Sequence, residues 1–189
     1  MKRSKEIVVV SHCVLNSNAK VEGLSEYSGV LSEVVDMIVQ RGAGIIQLPC
    51  PEMFIYGIKR WGHVKEQFDT PYFRQQCREL ISPIVQQLVN YKNNGYDIIG
   101  LIGIDGSPSC GVSKTCSGDW GGEFMENGGM SYKAIEKIRN FKFVDGQGVL
   151  MEEIKDEFCE NGIDVPFIAI DEMDIDKNIA QIREFFESK

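Results

Sequence analysis

The sequence predicts an α/β fold: a Rossmann-like three-layer domain, with a mostly parallel sheet of about four strands and helices on both faces. Three observations carry that prediction. Short, mostly apolar runs rich in β-branched residues recur at 7–10, 44–48, 97–104 and 165–170, as in strands buried on both sides. Segments between them place apolar residues at three- and four-residue steps, the period of a helix packed on one face. The two kinds alternate along the chain, so the crossovers between parallel strands are expected to be right-handed. A chain of 189 residues suffices for one domain with a core and is short for two. Residues 1–189 are therefore read as a single domain.

The elements follow in order. Ile7-Val8-Val9-Val10 reads as the first strand. Ser28 to Gln40 carries Val30, Leu31, Val34, Val35 and Ile38 at helical spacing, and Gly42 suits the stop. Gly44 to Leu48 is the second strand, ended by Pro49. Thr70-Pro71 is a helix start, with threonine as cap and proline in the first turn. Phe73, Cys77, Leu80, Ile81, Ile84, Val85 and Leu88 continue that helix, and Pro83 should kink it before Asn94-Gly95 ends it. Asp97 to Ile104 is the third strand. Residues 117–130 hold five glycines and read as a long loop, a type often functional. A short helix is expected over Tyr132 to Asn140 and another from Gly148 to Cys159. Val165 to Ile170 is the fourth strand, and a last helix carries Ile175, Ile179, Ile182, Phe185 and Phe186.

Composition narrows the function classes. Hydrophobic residues at 43% with charged residues at 25% exclude a disordered or low-complexity chain. The formal net charge of −8 opposes binding to nucleic acid and to anionic membranes. The basic start Met1 to Lys5 precedes only four apolar residues, about half a secretory core. No stretch approaches the roughly 20 apolar residues of a membrane span. A cytoplasmic, reducing location is expected, where cysteines more often react or bind metal than cross-link.

Chemistry collects at one edge. Ligands in an open parallel sheet bind beyond the carboxyl ends of the strands. Cys13 follows the first strand, Cys50 and Glu52 the second, Ser107, Ser109 and Cys110 the third, and Asp171 and Glu172 the fourth. No Cys-x-x-Cys pair exists, so a ribbon or finger zinc site is not indicated. Three dispersed thiolates suit an iron–sulfur cluster with one iron lacking a protein ligand. They could also suit zinc with an open fourth position. Cys77 and Cys159, on helix faces, read as packing residues. Cys116 reads as a spare thiol, or as a sulfur carrier if the glycine-rich loop covers the site.

Cys50-Pro51-Glu52 sets a carboxylate two residues beyond a candidate ligand. A carboxyl in a desolvated pocket can work as acid or base near neutral pH. Ser107-Pro108-Ser109-Cys110-Gly111 is a restricted turn whose hydroxyls and amides can donate to sulfur or to an anionic intermediate. His12 is read as a proton relay or donor to sulfur, or as a structural residue pointing away. His63 is expected at the surface. Arg60-Trp61-Gly62-His63 and Trp120 are candidate pocket walls, or ordinary packing residues.

Cys13-Val14-Leu15, Cys50-Pro51-Glu52 and Ser107-Pro108-Ser109-Cys110-Gly111 resemble the three motifs of the 2-thiouracil desulfidase family. The third is the most specific, and the resemblance extends from the first strand to the last helix. It implies a Rossmann-like domain that binds a [4Fe-4S] cluster through Cys13, Cys50 and Cys110. It implies a small thiolated substrate, whose carbon–sulfur bond is broken without net redox change to release sulfide. Glu52 matches the residue that handles protons, and Ser107 the serine assisting it, with Ser109 the second candidate. Ser109 and His12 are the substrate-side candidates. The chain departs from the family pattern at Asn16, where glycine is usual, and at Met53-Phe54-Ile55-Tyr56-Gly57, where the family is glycine-rich. An open-iron cluster is oxygen-sensitive, so its loss or replacement by zinc is expected in aerobic preparations. The competing expectation is a metal- or cluster-binding sulfur carrier without catalysis of its own.

Overall fold

The run Ile7-Val8-Val9-Val10 is buried along its length, so it needs cover on both faces and a strand on each side. The computed structural model describes residues 3–188 and supplies both. In chain order the elements begin with strand β1 (Glu6–Val10), helix α1 (His12–Leu15), a 3₁₀ turn (Ser17–Ala19), α2 (Ser32–Arg41) and β2 (Gly44–Gln47). Next come α3 (Pro51–Tyr56), α4 (Lys65–Phe68), α5 (Pro71–Asn93), β3 (Asp97–Ile104) and β4 (Lys114–Ser117). Then follow β5 (Met125–Glu126), β6 (Gly129–Met130), α6 (Tyr132–Arg139) and β7 (Lys142–Asp145). The chain closes with α7 (Val149–Glu160), β8 (Phe167–Ile170), a 3₁₀ turn (Glu172–Asp174) and α8 (Ile175–Glu187).

The main sheet has the order β2-β1-β3-β8, and every pairing in it is parallel. This is the four-stranded α/β architecture expected from the sequence. Two glycines of β3 show that it is covered on both sides. A Cβ at Gly100 would lie 3.3 Å from Phe185 of α8, and one at Gly103 would lie 3.0 Å from Met151 of α7. Positions three apart on a strand face opposite ways. So α8, with α2 against it, covers one face, and α7, with α5 against it, covers the other.

Several boundaries move. Helix α2 begins at Ser32 rather than Ser28, because the backbone before it is held elsewhere. Gly29 O accepts from Ser17 N at 2.6 Å, and Leu31 N donates to Val14 O at 2.9 Å. Thr70 Oγ1 caps α5 by accepting from Phe73 N at 3.2 Å. The helix runs through Pro83 to Asn93, since that proline is exposed and water can serve the freed carbonyl. The stretch 117–130 is not wholly a loop. It holds the hairpin β5–β6, turned by Asn127 and Gly128 with φ of 53° and 81°. Asn-Gly with both residues left-handed is the two-residue turn that matches strand twist. Strand β7 pairs antiparallel with β4, off the main sheet, where no strand was expected.

Candidate functional site

Each of the three cysteines stands just past the carboxyl end of its strand. Cys13 lies in α1, two residues after β1 closes through Ser11 N to Ile102 O at 2.9 Å. Cys50 is the N-cap of α3, with Pro51 in the first turn, and its Sγ accepts from Met53 N at 3.4 Å. Cys110 ends the turn after β3 and is buried. Burial pushes the Cys13 thiol up to about 12, Cys50 upward, and Cys110 well above the ordinary thiol range. The thiols also act on one another: Cys13 and Cys50 both push Cys110 up, and Cys50 pushes Cys13 up. Three residues 37 and 60 positions apart in sequence thus share one electrostatic neighbourhood. All six cysteines are free.

The turn that carries Cys110 is fixed by backbone. Pro108 O and Ser109 O accept from Val149 N at 3.0 Å and Leu150 N at 2.9 Å. These are first-turn amides of α7, which lack partners inside their own helix. Gly148 permits the contact, since a Cβ there would lie 2.5 Å from the Ser109 carbonyl carbon. A Cβ at Gly111 would overlap the carbonyl oxygens of Lys114 and Ser107.

Glu52 is buried beside the thiols, and both its oxygens are engaged. Ser109 Oγ donates to Oε1 at 2.6 Å, and Arg60 Nε donates to Oε2 at 3.0 Å. The Arg60 side chain is only 3% exposed, so the pair is shielded from solvent. The arginine also donates to Ala19 O at 2.7 Å and Gly57 O at 3.3 Å. Ser109, rather than Ser107, is therefore the serine in contact with Glu52. Ser107 Oγ accepts from Cys110 N at 3.0 Å and Ser109 N at 3.3 Å, holding the turn, and lies 3.4 Å from Ser109 Oγ. Ser109 Oγ also lies 3.5 Å from Cys110 Sγ, which links the carboxylate to a thiol.

The histidines divide. His12 Nδ1 lies 3.1 Å from Gln47 Nε2, at the ends of β1 and β2, while its Nε2 is buried without a partner. Burial lowers its pKa. His63, expected at the surface, is half-buried. Its ring packs against both Tyr56 and Phe68, with centroids at 5.0 and 4.7 Å, and those two rings also contact each other at 5.5 Å. Its Nδ1 is buried without a partner. Phe68 and Phe73 are apolar in the sequence, but nothing local places position 63 against aromatic rings. Trp120 packs over Gly62 and Gly118, as a wall of this region. Cys116 is buried in β4, donates to His63 O at 3.3 Å, and is pushed up to about 11 by burial and then by Glu52.

Two residues in this region carried no local sequence signal. Lys20 Nζ pairs with Glu172 Oε2 at 2.5 Å, with the side chains 9% and 14% exposed. Tyr27 donates its hydroxyl to Cys13 O at 3.1 Å, and Lys20 Nζ lies 5.8 Å from the centre of its ring. Glu172 was expected at this edge from its place after the fourth strand; Lys20 and Tyr27 come from the long connection after α1.

The donor set is of a particular kind. Among the described residues, no three His, Cys, Asp or Glu side chains converge as they would around one metal ion. A single zinc draws its thiolates to about 2.3 Å from one centre. A multi-iron group takes each thiolate on a separate iron, so its ligands stand farther apart. Thiolates are ligands for either group. Elsewhere, a groove of about 580 Å³ between α2 and α8 is lined by residues such as Glu33, Arg41 and Arg183, and holds no thiol.

Comparison with known proteins finds a relative in the archaeon Methanocaldococcus jannaschii, the uncharacterized protein MJ0003. It is 41% identical over 136 residues, which cover 72% of this chain and 81% of the relative. The chain belongs to the MJ0003 family. No model of a known protein family and no solved structure matches it. No helix among the described residues is long and apolar enough to cross a membrane.

Proposed function

We propose that this member of the MJ0003 family is a desulfidase of the 2-thiouracil desulfidase type, acting on a small thiolated compound. The carrying observation is the placement of three thiols past the ends of the neighbouring strands β2, β1 and β3, with a buried carboxylate bonded to the serine beside one of them. Cys13, Cys50 and Cys110 would hold a [4Fe-4S] cluster. When bound, that group supplies an iron without a protein ligand, a thiophilic partner for the sulfur of a thiocarbonyl.

The rest is work for the chain's own residues. Glu52 Oε1 takes a proton from water, whose oxygen adds to the thiocarbonyl carbon. Ser109 fixes that carboxylate through its 2.6 Å bond, and Arg60 supplies the countercharge on Oε2. Glu52 then returns that proton to sulfur, the added hydroxyl gives up the water's second proton to sulfur as its oxygen becomes the carbonyl, and the carbon–sulfur bond breaks to release hydrogen sulfide. Water is consumed, the thiocarbonyl becomes a carbonyl, and no electrons are gained or lost. Buried surroundings strengthen each of these contacts by excluding competing water.

The test is anaerobic. Protein purified without oxygen is assayed for iron and acid-labile sulfide, then for sulfide release from 2-thiouracil. Bound iron and sulfide with turnover supports the reading. A full cluster with no turnover on any thiolated pyrimidine, purine or thioamide makes the chain a carrier. No iron and no labile sulfide overturns the cluster assignment.

A further inference from the structure

The carboxylate of Glu172 has one oxygen without a partner. Oε2 is taken by Lys20 Nζ at 2.5 Å, while Oε1 is buried with no hydrogen-bond partner, the neighbouring Tyr27 hydroxyl being given to Cys13 O at 3.1 Å. A buried carboxylate oxygen with no donor is costly, and such groups need an explanation in a ligand or a mechanism. This one lies near the Cys13 thiol, which both Glu172 and Lys20 perturb in opposite senses. Geometry sets the pair beside Cys13: Lys20 Nζ lies 5.8 Å from the centre of the Tyr27 ring, whose hydroxyl donates to Cys13 O at 3.1 Å.

The pair is built into the fold. Asn178, itself buried, donates to Asp171 O at 3.1 Å and Asp174 O at 2.5 Å, pinning the turn that carries Glu172. Asp171 Oδ1 accepts from Met173 N at 3.1 Å in the same turn. Lys20 N donates to Ser17 O at 3.0 Å. The preceding carbonyl, Ala19 O, is held by Arg60, the partner of Glu52. One arginine thus ties the two ion pairs together across the site.

We propose that Glu172 and Lys20 form a specificity-determining pair, in which Glu172 Oε1 accepts the N–H next to the thiocarbonyl of a thioamide- or thiourea-type substrate. The inference rests on the desulfidase reading and adds to it the group that reads the substrate's nitrogen. A thioamide N–H is a good donor, and a carboxylate is the strongest acceptor a side chain offers. Lys20 holds Oε2, leaves Oε1 to the ligand, and neutralises the charge. A thiocarbonyl compound with no N–H leaves Oε1 unpaired and is rejected, as sites built for a hydrogen bond reject analogues lacking it.

Binding is measured before turnover, so that the two readings fail separately. 2-Thiouracil and its N1,N3-dimethyl derivative are titrated calorimetrically into anaerobic cluster-loaded protein. Two variants are compared with wild type: Glu172→Gln, and Lys20→Met combined with Glu172→Leu, which leaves neither charge buried alone. Iron and labile-sulfide content checks that each variant retains the cluster. Wild type should bind 2-thiouracil about tenfold or more tightly than either variant and the dimethyl compound. The variants should lose the discrimination. Equal binding of both compounds by wild type, unchanged binding in the variants, or no binding at all overturns the inference. Turnover is then scored on the same samples: binding without sulfide release leaves the pair assigned and overturns only the desulfidase reading.

Discussion

Ser109 Oγ donates to Glu52 Oε1 at 2.6 Å, across 57 residues of sequence. The bond joins the turn after β3 to the first turn of α3, and so ties the loop of one candidate ligand, Cys110, to the loop of another, Cys50. Ser107, two residues earlier, spends its hydroxyl on amides of its own turn. Two serines in one motif therefore have separable jobs.

Ser109→Ala should lower sulfide release by about 10²-fold, since the carboxylate loses its orienting donor while the fold is kept. Ser107→Ala should instead cost stability, about 1–2 kcal/mol, because two amides lose an acceptor. Steady-state kinetics and thermal melts of both variants check the split. Equal kinetic losses with equal melts would contradict it.

Glu52→Gln should abolish turnover and also destabilise the protein by about 3 kcal/mol, because Arg60 would remain buried without its countercharge. Adding Arg60→Met should recover most of the stability and none of the activity. Chemical denaturation of the single and double variants measures the first, and sulfide release the second.

Each of Cys13→Ser, Cys50→Ser and Cys110→Ser should lose most of the iron and labile sulfide of anaerobic preparations. Cys77→Ala and Cys159→Ala should retain both. Elemental analysis decides, and full iron content in any of the first three would remove that residue from the ligand set.

Gly148→Ala should unseat the Cys110 turn, since its Cβ would strike the Ser109 carbonyl carbon at 2.5 Å. A loss of several kcal/mol is expected for so rigid a clash, about the range of severe packing errors. The denaturation midpoint reads it.

The acid side of the stability profile has a named contributor. Arg74 donates to Asp69 at 2.7 Å and holds that carboxyl below its ordinary 3.8, while also bonding Glu152 and Glu153 of α7. A depressed carboxyl stabilises the fold above its unfolded pKa and loses that contribution as pH falls through its folded value. Wild type should therefore weaken below about pH 4, and Asp69→Asn should weaken less over that interval. Melts from pH 6 to pH 2 compare the two.

Cys116 offers a check at alkaline pH. Its thiol is pushed up to about 11, so it is protonated at neutral pH and should react slowly with iodoacetamide. Exposed Cys159 should be alkylated first. The rate at Cys116 should climb as pH approaches 11, followed by peptide mass spectrometry.

The sequence by itself determined the parallel sheet, its four strands and the placement of Cys13, Cys50, Glu52 and Cys110 past the ends of three of them. Runs such as Val8 to Val10 and Ile98 to Ile104 are buried on both faces, and that requirement is written in composition and period. Helix α5 was equally legible, because Thr70 and Pro71 act within one turn. What failed were features made by distant partners. The start of α2 is set by Gly29 and Leu31 bonding to residues 17 and 14. β7 exists because β4 pairs with it, and His63 is half-buried because Tyr56 and Phe68 pack against it. The choice of Ser109 over Ser107, and the pairing of Arg60 with Glu52 and of Lys20 with Glu172, were likewise decided only by tertiary structure. Local propensity depends on neighbours a few bonds away, whereas a hydrogen bond or ion pair depends on where the folded chain sets two atoms.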